Sequence, residues 1–268
     1  MKRIEQIKDA LCLYGRYISL NIRSAMQHKT SFFLQIAGQL MTSMTTFLGL
    51  FFMFQRFHRV KGYTYSDVLL CFSIVLMQFS LAEMFARGFD AFSGMVRRGE
   101  FDRVMVLPRS DVLQVLGSRF ELTRIGRLIQ AVIIFIYGMM TTSVEWTAGR
   151  VLTVLTMLLG GTALFSGLFL VYAALCFFTI EGLEFMNVFT DGGREYGKYP
   201  IDVYGSRMQQ FATFVIPYAL VQYYPLQYLL GRSGCWLYGL YPLGALLFLA
   251  ACYGLWRVGV ARYTSTGT

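Results

Sequence analysis

Residues 68–85 read VLLCFSIVLMQFSLAEMF and carry one charged side chain, Glu83. An α-helix needs about 20 mostly apolar residues to cross a bilayer, so this stretch is typical of a membrane span. Further apolar stretches predict spans at 32–54, 128–144, 151–178, 211–230 and 237–256. We therefore predict an all-α integral membrane protein with six transmembrane helices.

The composition of the whole chain agrees with a membrane protein. Of its 268 residues, 56% are hydrophobic and 15% are charged, whereas a soluble domain has about 25% charged residues. His28 and His58 lie outside the predicted spans and the five cysteines are scattered, so the sequence offers neither a metal site nor a disulfide framework. A membrane-embedded enzyme would need a convergent catalytic set, which this pattern lacks. We expect no enzymatic activity and no bound cofactor or metal.

The distribution of positive charge predicts the orientation in the membrane. Most of the 24 lysine and arginine residues lie before the first span, between spans 2 and 3, between spans 4 and 5, and after span 6. By the positive-inside rule these segments and both termini are cytoplasmic. Because the basic residues are spread over several loops, the net charge of +9 indicates contact with anionic lipid and not with nucleic acid.

The first 30 residues place apolar side chains at helical steps between basic ones: Ile4, Ile7, Leu11, Tyr14 and Ile18. This pattern predicts an amphipathic helix over 1–30. The helix lies either in the cytoplasmic interface of the membrane or against the protein itself.

Two later stretches depart from a simple span-and-loop pattern. Pro217 and Pro225 interrupt the fifth predicted span, which favours a short helix and a re-entrant turn near spans 5 and 6. GGREYGK, at 192–198, matches a phosphate-binding loop until Tyr199 stands where that loop needs a hydroxyl for magnesium. We therefore predict a glycine-rich turn within a cytoplasmic loop at 181–208.

The segment between spans 2 and 3 contains FSGMVRRGEFDRVMVLPRSDVLQVLGSR at 92–119, which mixes charge with apolar residues at helical spacing. Pro108 stops the apolar run 104–107, and Asp111 with Gln114 forms a candidate capping box for a following helix. We predict two short helices with a rigid corner in a cytoplasmic segment at 88–124. Such a segment is either a docking site for a soluble partner or a linker between spans.

Three stretches resemble the six-span, uncharacterised branch of the type-2 (ABC-2) export permeases. They are RRGEFDRVMVLPRSDVLQVLG at 97–117, FTIEGLEFMNVFTDGGREYGKYPIDVYG at 178–205 and FVIPYALVQYYPLQYLLGR at 214–232. The first is similar to the family's G-E-x-D-x-x-L-x-x-P segment, although Met105 and Val106 stand where leucine-rich or basic positions are expected. The resemblance covers nearly the whole chain and implies one transmembrane permease domain over 1–268.

The resemblance implies the following partners and roles. Two permease subunits, as a homodimer or a heterodimer, pair in the bacterial cytoplasmic membrane above two copies of a separate ATPase, which binds the ATP and magnesium. The segment between spans 2 and 3 would be the cytoplasmic coupling helix, with Phe101 as its anchor in the ATPase. Its expected contact residues are Arg97, Arg98, Gly99, Glu100, Phe101, Asp102, Arg103, Leu107 and Pro108.

Polar residues in or beside the spans are candidates either for the substrate pathway or for helix packing: Gln35, Gln39, Glu83, Glu181, Glu184 and Asn187. Glu83 precedes Arg87 by four residues, which predicts an ion pair on one helix face. The sequence identifies no substrate. An importer permease, or a non-transporting scaffold or sensor that docks an ATPase, shares all of these features.

Overall fold

The structure is a computed structural model that describes residues 2–179 and 184–264. The regular elements of these residues are helices, in agreement with the predicted fold class. The α-helices are α1 Lys2–Ala25, α2 Lys29–Phe57, α3 Tyr65–Asp90, α4 Phe92–Arg97, α5 Glu100–Val106, α6 Asp111–Ser118, α7 Ile125–Thr141, α8 Ala148–Leu175, α9 Asp191–Tyr196, α10 Ser206–Phe214, α11 Tyr218–Val221, α12 Tyr223–Leu229 and α13 Gly244–Ala261. Short 3₁₀ helices lie at Met26–His28, Leu122–Arg124, Glu184–Val188, Ile201–Tyr204 and Trp236–Leu243.

Five helical stretches of the described residues are long and apolar enough to cross a membrane: Lys8–Phe57, Tyr65–Arg97, Leu122–Thr141, Ala148–Leu175 and Trp236–Ala261. They coincide with five of the six predicted spans. The sixth, 211–230, is not one helix, because α10, α11 and α12 follow one another with breaks. Pro217 lies at the first break, as predicted, whereas Pro225 is accommodated in the first turn of α12.

The central helix is α3, which packs against both α7 and α8. Its start is fixed by a capping box in which the Thr64 hydroxyl accepts from the backbone N–H of Asp67 and the Asp67 carboxylate accepts from that of Thr64. Close contact between α8 and the last span depends on a glycine. A Cβ atom at Gly160 would overlap the backbone carbonyl of Pro242.

The bundle has two ends, which we name after a buried aromatic residue at each. The Phe101 end holds α4, α5 and α6 with the C-terminal ends of α3, α8 and α13. The Tyr63 end holds loop 58–64, the start of α3 and the end of α12. There the Arg232 guanidinium lies 4.0 Å from the Tyr63 ring centroid and donates to the carbonyl of Gly62 (2.8 Å).

Residues 194–202 run along α3 from near its middle to the Tyr63 end. The Arg194 guanidinium lies 5.1 Å from the Phe79 ring centroid, the Gly197 carbonyl accepts from the Cys71 thiol, and the Asp202 carboxylate accepts from the Tyr63 hydroxyl (3.1 Å). From Phe79 to the start of α3 is roughly 20 Å at the rise of an α-helix. The predicted loop 181–208 is therefore not confined to one end of the bundle.

The backbone of this crossing segment obtains hydrogen bonds from a distant side chain. The Gln222 amide donates to the carbonyls of Gly197 (3.0 Å) and Tyr199 (2.6 Å). Two glycines of this stretch allow close packing, since a Cβ atom would lie 2.4 Å from Tyr218 at Gly193 and 2.7 Å from Val75 at Gly197. Residues without a continuous helix are thereby held against α3.

Helices α10, α11 and α12 form a hairpin that begins and finishes at the Tyr63 end. After Asp202 at this end, α10 leads inward to Tyr218, whose hydroxyl donates to the carbonyl of Phe189. α12 then returns, and Gln227 near its end donates to the Tyr63 hydroxyl.

Helix α1 packs on α6 at the Phe101 end. The Asn21 amide donates to the carbonyl of Gly117 (3.1 Å), and Asp9 forms an ion pair with Arg109. Leu11 and Leu20 are exposed on α1. The helix thus contacts the protein with one face while an apolar face remains uncovered in the isolated chain.

Candidate functional site

The Phe101 end presents a corner built from α4, α5 and α6. Gly99 ends α4 and begins α5 with a φ of 64°, a left-handed conformation that glycine adopts without steric cost. Pro108 follows α5, and α6 begins at Asp111. Three short helices are therefore present where two were predicted. Helices α4 and α5 precede the corner, and α6 follows it.

The corner is fixed to the spans by a cluster of aromatic rings. Phe101 is fully buried, and its ring centroid lies 5.0 Å from that of Phe92, 5.3 Å from Phe177 and 5.1 Å from Tyr263. Trp256 of α13 also packs on Phe101. Because these residues belong to α4, α13 and the segments that follow α8 and α13, the cluster joins the corner to two long helices.

Two hydrogen bonds connect the same parts of the chain. The Tyr263 hydroxyl donates to the Asp102 carboxylate (2.9 Å), and the Trp256 indole donates to Asp111 (2.9 Å). The predicted capping box at α6 is therefore wrong, because Asp111 accepts a hydrogen bond from Trp256 and the α6 N-cap has no side-chain hydrogen bond. Gln114 instead donates to the carbonyls of Val104 and Arg109 (both 3.2 Å), which closes the corner.

An exposed apolar surface lies at the outermost point of the corner. Met105, Val106 and Leu107 are 47%, 85% and 46% exposed, and Pro108 beside them is exposed too. We call residues 105–108 the apolar tip. Arg103 and Arg109 are exposed on either side of it, so the tip combines an apolar centre with a basic rim.

The structure places all nine expected contact residues on this corner, but not all of them face outward. Arg97, Arg98, Glu100 and Arg103 are exposed. Arg98 donates to Glu100 (2.6 Å), and this hydrogen bond lowers the pKa of the Glu100 carboxyl. Phe101 differs from the expectation that it inserts into a partner, because its own chain surrounds it. Met105 and Val106 were not among the expected contacts.

A cluster of charged side chains lies within the bundle, around Glu83. The predicted ion pair with Arg87 is present at 3.1 Å. Glu83 also meets Arg127 at 2.8 Å and Arg124 at 3.4 Å, and the three arginines come from α3, α7 and the 3₁₀ helix before α7. The Glu83 side chain is 4% exposed, so one buried carboxylate holds together three segments.

Beside Arg127 lies a cavity between α2, α3, α7 and the crossing segment. Polar and charged side chains make up most of its lining, which comprises Gln39, Thr42, Ser43, Thr46, Phe72, Leu76, Arg127, Arg194, Glu195 and Lys198. The Arg127 guanidinium donates to the Gln39 amide oxygen (2.8 Å), and Glu195 pairs with both Arg194 (3.1 Å) and Lys198. We call this group the polar cavity. It lies at the middle third of α2.

The predicted polar residues have different positions relative to this cavity. Gln39 lines it and also joins α2 to α7. Gln35 is exposed one turn away and bonds within its own helix to Ser31. Glu184 and Asn187 are exposed and do not line the polar cavity. Glu181 lies outside the described residues.

Sequence reasoning missed Arg127, Arg194 and Lys198 as cavity residues. Arg127 directly precedes a predicted span, so the positive-inside rule assigns it to the cytoplasmic segment. Arg194 and Lys198 belong to the glycine-rich stretch that was predicted to lie outside the membrane. The available signal was the polar face of α2, where Gln39, Thr42, Ser43 and Thr46 interrupt an apolar helix.

Comparison with known proteins agrees with this architecture. The family described as ABC-2 family transporter protein matches residues 40–267. No curated protein and no solved structure matches the chain. The match spans four of the five long helices, the corner and the crossing segment. The chain therefore belongs to the ABC-2 family of transporter proteins and is a multi-pass membrane permease.

Proposed function

We propose that the chain is the permease subunit of an ATP-driven exporter and binds a separate ATPase through its apolar tip. The observation that carries the proposal is the strong exposure of Met105, Val106 and Leu107 on a corner that is otherwise fixed by buried contacts. Exposed apolar side chains ringed by charge are typical of a surface that a protein partner covers. The direction of transport is taken from the resemblance of 97–117 to export permeases.

The fixed corner explains how movement of a partner would reach the membrane. A force on the tip passes through Phe101 to Trp256 of α13 and to Phe177 after α8, without a flexible joint. Coupling between two sites needs an element that both sites bias. In this proposal ATP and magnesium bind to two copies of the partner, and their closure displaces the corner.

The proposed orientation puts the Phe101 end, α1 and both termini on the cytoplasmic side of a bacterial cell membrane. Arg97, Arg98, Arg103 and Arg109 at this end agree with the positive-inside rule. The α10–α12 hairpin is then a re-entrant element that enters from the external side. The exposed apolar face of α1 lies in the interface, and a second permease subunit completes the substrate pathway.

The test is co-purification of an ATPase with the tagged chain from native membranes in mild detergent, with identification by mass spectrometry. A Val106→Glu variant places a charge at the centre of the tip. Val144→Glu, in the loop between α7 and α8 at the other end, is the matched control. We expect Val106→Glu to reduce the recovered ATPase by at least about tenfold, and Val144→Glu to retain it.

Two outcomes would overturn the docking proposal. One is the absence of any ATPase from stable, monodisperse natural protein. The other is full recovery of the ATPase with Val106→Glu. Melting curves of both variants show whether a loss reflects docking or folding, because the tip side chain contributes little to the chain's own core.

A further inference from the structure

We infer that the polar cavity binds an oxyanion, that is, a phosphate, sulfate or carboxylate group, and that the transported molecule carries such a group. Only the second part of this inference, that the transported molecule carries such a group, rests on the proposed transport function. Binding of the anion is a property of this chain alone.

The side chains that line the cavity are predominantly cationic. Arg127, Arg194 and Lys198 line it together with one carboxylate, that of Glu195. The lining therefore carries an excess of positive charge, although Glu83 and Asp191 pair with Arg127 and Arg194 from outside it. In a low-dielectric interior an unbalanced cation is costly, and a bound anion would remove that cost.

Arg127 is the residue of the lining that has a buried donor without a hydrogen-bond partner in the described part of the chain. Its side chain is 5% exposed and lines the cavity, and its Nη1 atom has no hydrogen-bond partner among the described residues. Its Nη2 atom is already used by Glu83 and Gln39. Guanidinium N–H groups donate strong hydrogen bonds to oxyanions, so a bound anion would give Nη1 the acceptor that it lacks.

The other lining groups suit the same ligand. Arg194 and Lys198 come from the opposite wall and are only partly buried, so both can turn toward a ligand. Gln39 presents its amide oxygen to Arg127, so its NH₂ group remains a donor. Glu195 is the one carboxylate in the lining; it is about half exposed and can swing away from an incoming anion.

The position of the cavity connects it with transport. It lies at the middle of α2, the least covered of the five long helices, and beside the crossing segment. Charged groups at this depth are costly unless they serve a function or pair completely. Three cationic groups line the cavity with one carboxylate, so pairing within the lining does not account for them.

The test measures binding of two probes to the full-length chain in neutral maltoside micelles by native mass spectrometry. Dodecyl phosphate represents an anionic amphiphile and inorganic phosphate represents a free anion. Dodecylphosphocholine, which has the same tail and a zwitterionic head, is the reference ligand. We expect dodecyl phosphate or inorganic phosphate to bind at one saturable site and dodecylphosphocholine to bind at least about tenfold more weakly.

Variants assign the binding to the cavity. We expect Arg127→Gln, Arg194→Gln and Lys198→Gln each to weaken anion binding by about tenfold, the effect of one charge-assisted hydrogen bond. Arg59→Gln, in the exposed loop at the Tyr63 end, is the control and leaves binding unchanged. Glu195→Gln removes the repelling carboxylate and tightens binding by roughly threefold or more. This gain of affinity remains informative if a cationic variant fails to fold.

The outcomes separate the two proposals. Binding of dodecyl phosphate alone identifies an amphiphilic anion as the ligand class, and binding of both probes identifies the anionic group itself. Equal binding of the zwitterion, or no effect of the Arg194, Lys198 and Glu195 changes, overturns the inference. Neither result depends on the ATPase, and the Val106→Glu variant is expected to bind the anion normally.

Discussion

Phe101 is buried within its own chain, although its neighbours in the sequence are charged. It stands between Glu100 and Asp102 in a short helix, yet it is fully buried among rings from four other segments. An apolar side chain on a charged helix has the same sequence pattern whether it packs on its own chain or on a partner. The sequence therefore indicates that Phe101 is buried, but it does not show which surface covers the ring.

Phe101→Ala is expected to destabilise the protein itself. Removal of a buried phenylalanine ring costs about 3–5 kcal/mol, since the surrounding rings do not fully close the cavity. Val106→Ala, five residues along and exposed, is the matched control and should change stability by less than about 0.5 kcal/mol. Unfolding in detergent, followed by tryptophan fluorescence, measures both. Equal stability of the two variants would contradict the burial of Phe101.

Glu83 is a second residue on which stability is expected to depend strongly, because it pairs with three arginines. Glu83→Gln would leave Arg127 buried without its carboxylate, and removal of one partner from a buried ion pair costs about 3–5 kcal/mol. Glu100→Gln, at an exposed pair, should leave the unfolding midpoint unchanged. Denaturant unfolding of the two variants provides the comparison. A small effect of Glu83→Gln would show that Arg127 has another counter-charge.

At the scale of elements, the long helices were predictable because their signal is local. Each of α2, α3, α7, α8 and α13 contains its own apolar stretch, and no distant residue is needed to recognise it. The crossing segment has no such signal. The Gly197 carbonyl within it accepts from Cys71 and Gln222, both far away in the chain, so sequence alone assigns the segment to a loop. The cavity residues that it carries were missed for the same reason.

The contact between α3 and α6 determines where the corner sits. A Cβ atom at Gly88 would overlap the carbonyl oxygen of Val115, and a backbone atom cannot turn aside as a side chain can. We expect Gly88→Ala to push α6 away from α3, to destabilise the protein by about 1–3 kcal/mol and to reduce recovery of the ATPase.

Gly254→Ala is the matched control for this change. Gly254 also lies within a long helix, but an added Cβ atom there meets no atom within 4 Å. Alanine favours a helix over glycine by about 1 kcal/mol, so this variant should be at least as stable as the natural protein. If Gly88→Ala were equally well tolerated, the close approach of α3 and α6 would not hold in the membrane.

At the scale of the whole molecule, two native cysteines report on the orientation. Cys12 of α1 is exposed near the Phe101 end, and Cys235 is exposed shortly after Arg232 at the Tyr63 end. Cys71, Cys176 and Cys252 are buried. One accessible thiol therefore lies at each end of the bundle, and the proposed topology puts these ends on opposite sides of the membrane.

We expect a membrane-impermeant maleimide to label Cys235 in spheroplasts and Cys12 only in inside-out vesicles. Cys235→Ser and Cys12→Ser identify which thiol reacts in each preparation. Labelling of Cys12 from outside the cell would invert the proposed orientation and would place the apolar tip beyond the reach of any cytoplasmic ATPase.

The hydrogen bonds of Gln222 help to hold the crossing segment against α3. A membrane helix is released only when several of its own backbone bonds break together. The carbonyls of Gly197 and Tyr199 are instead held by side chains, those of Gln222 and Cys71. The wall of the polar cavity that bears Arg194 and Lys198 can consequently separate from α3 through the loss of side-chain contacts alone, while the backbone hydrogen bonds of the long helices stay intact.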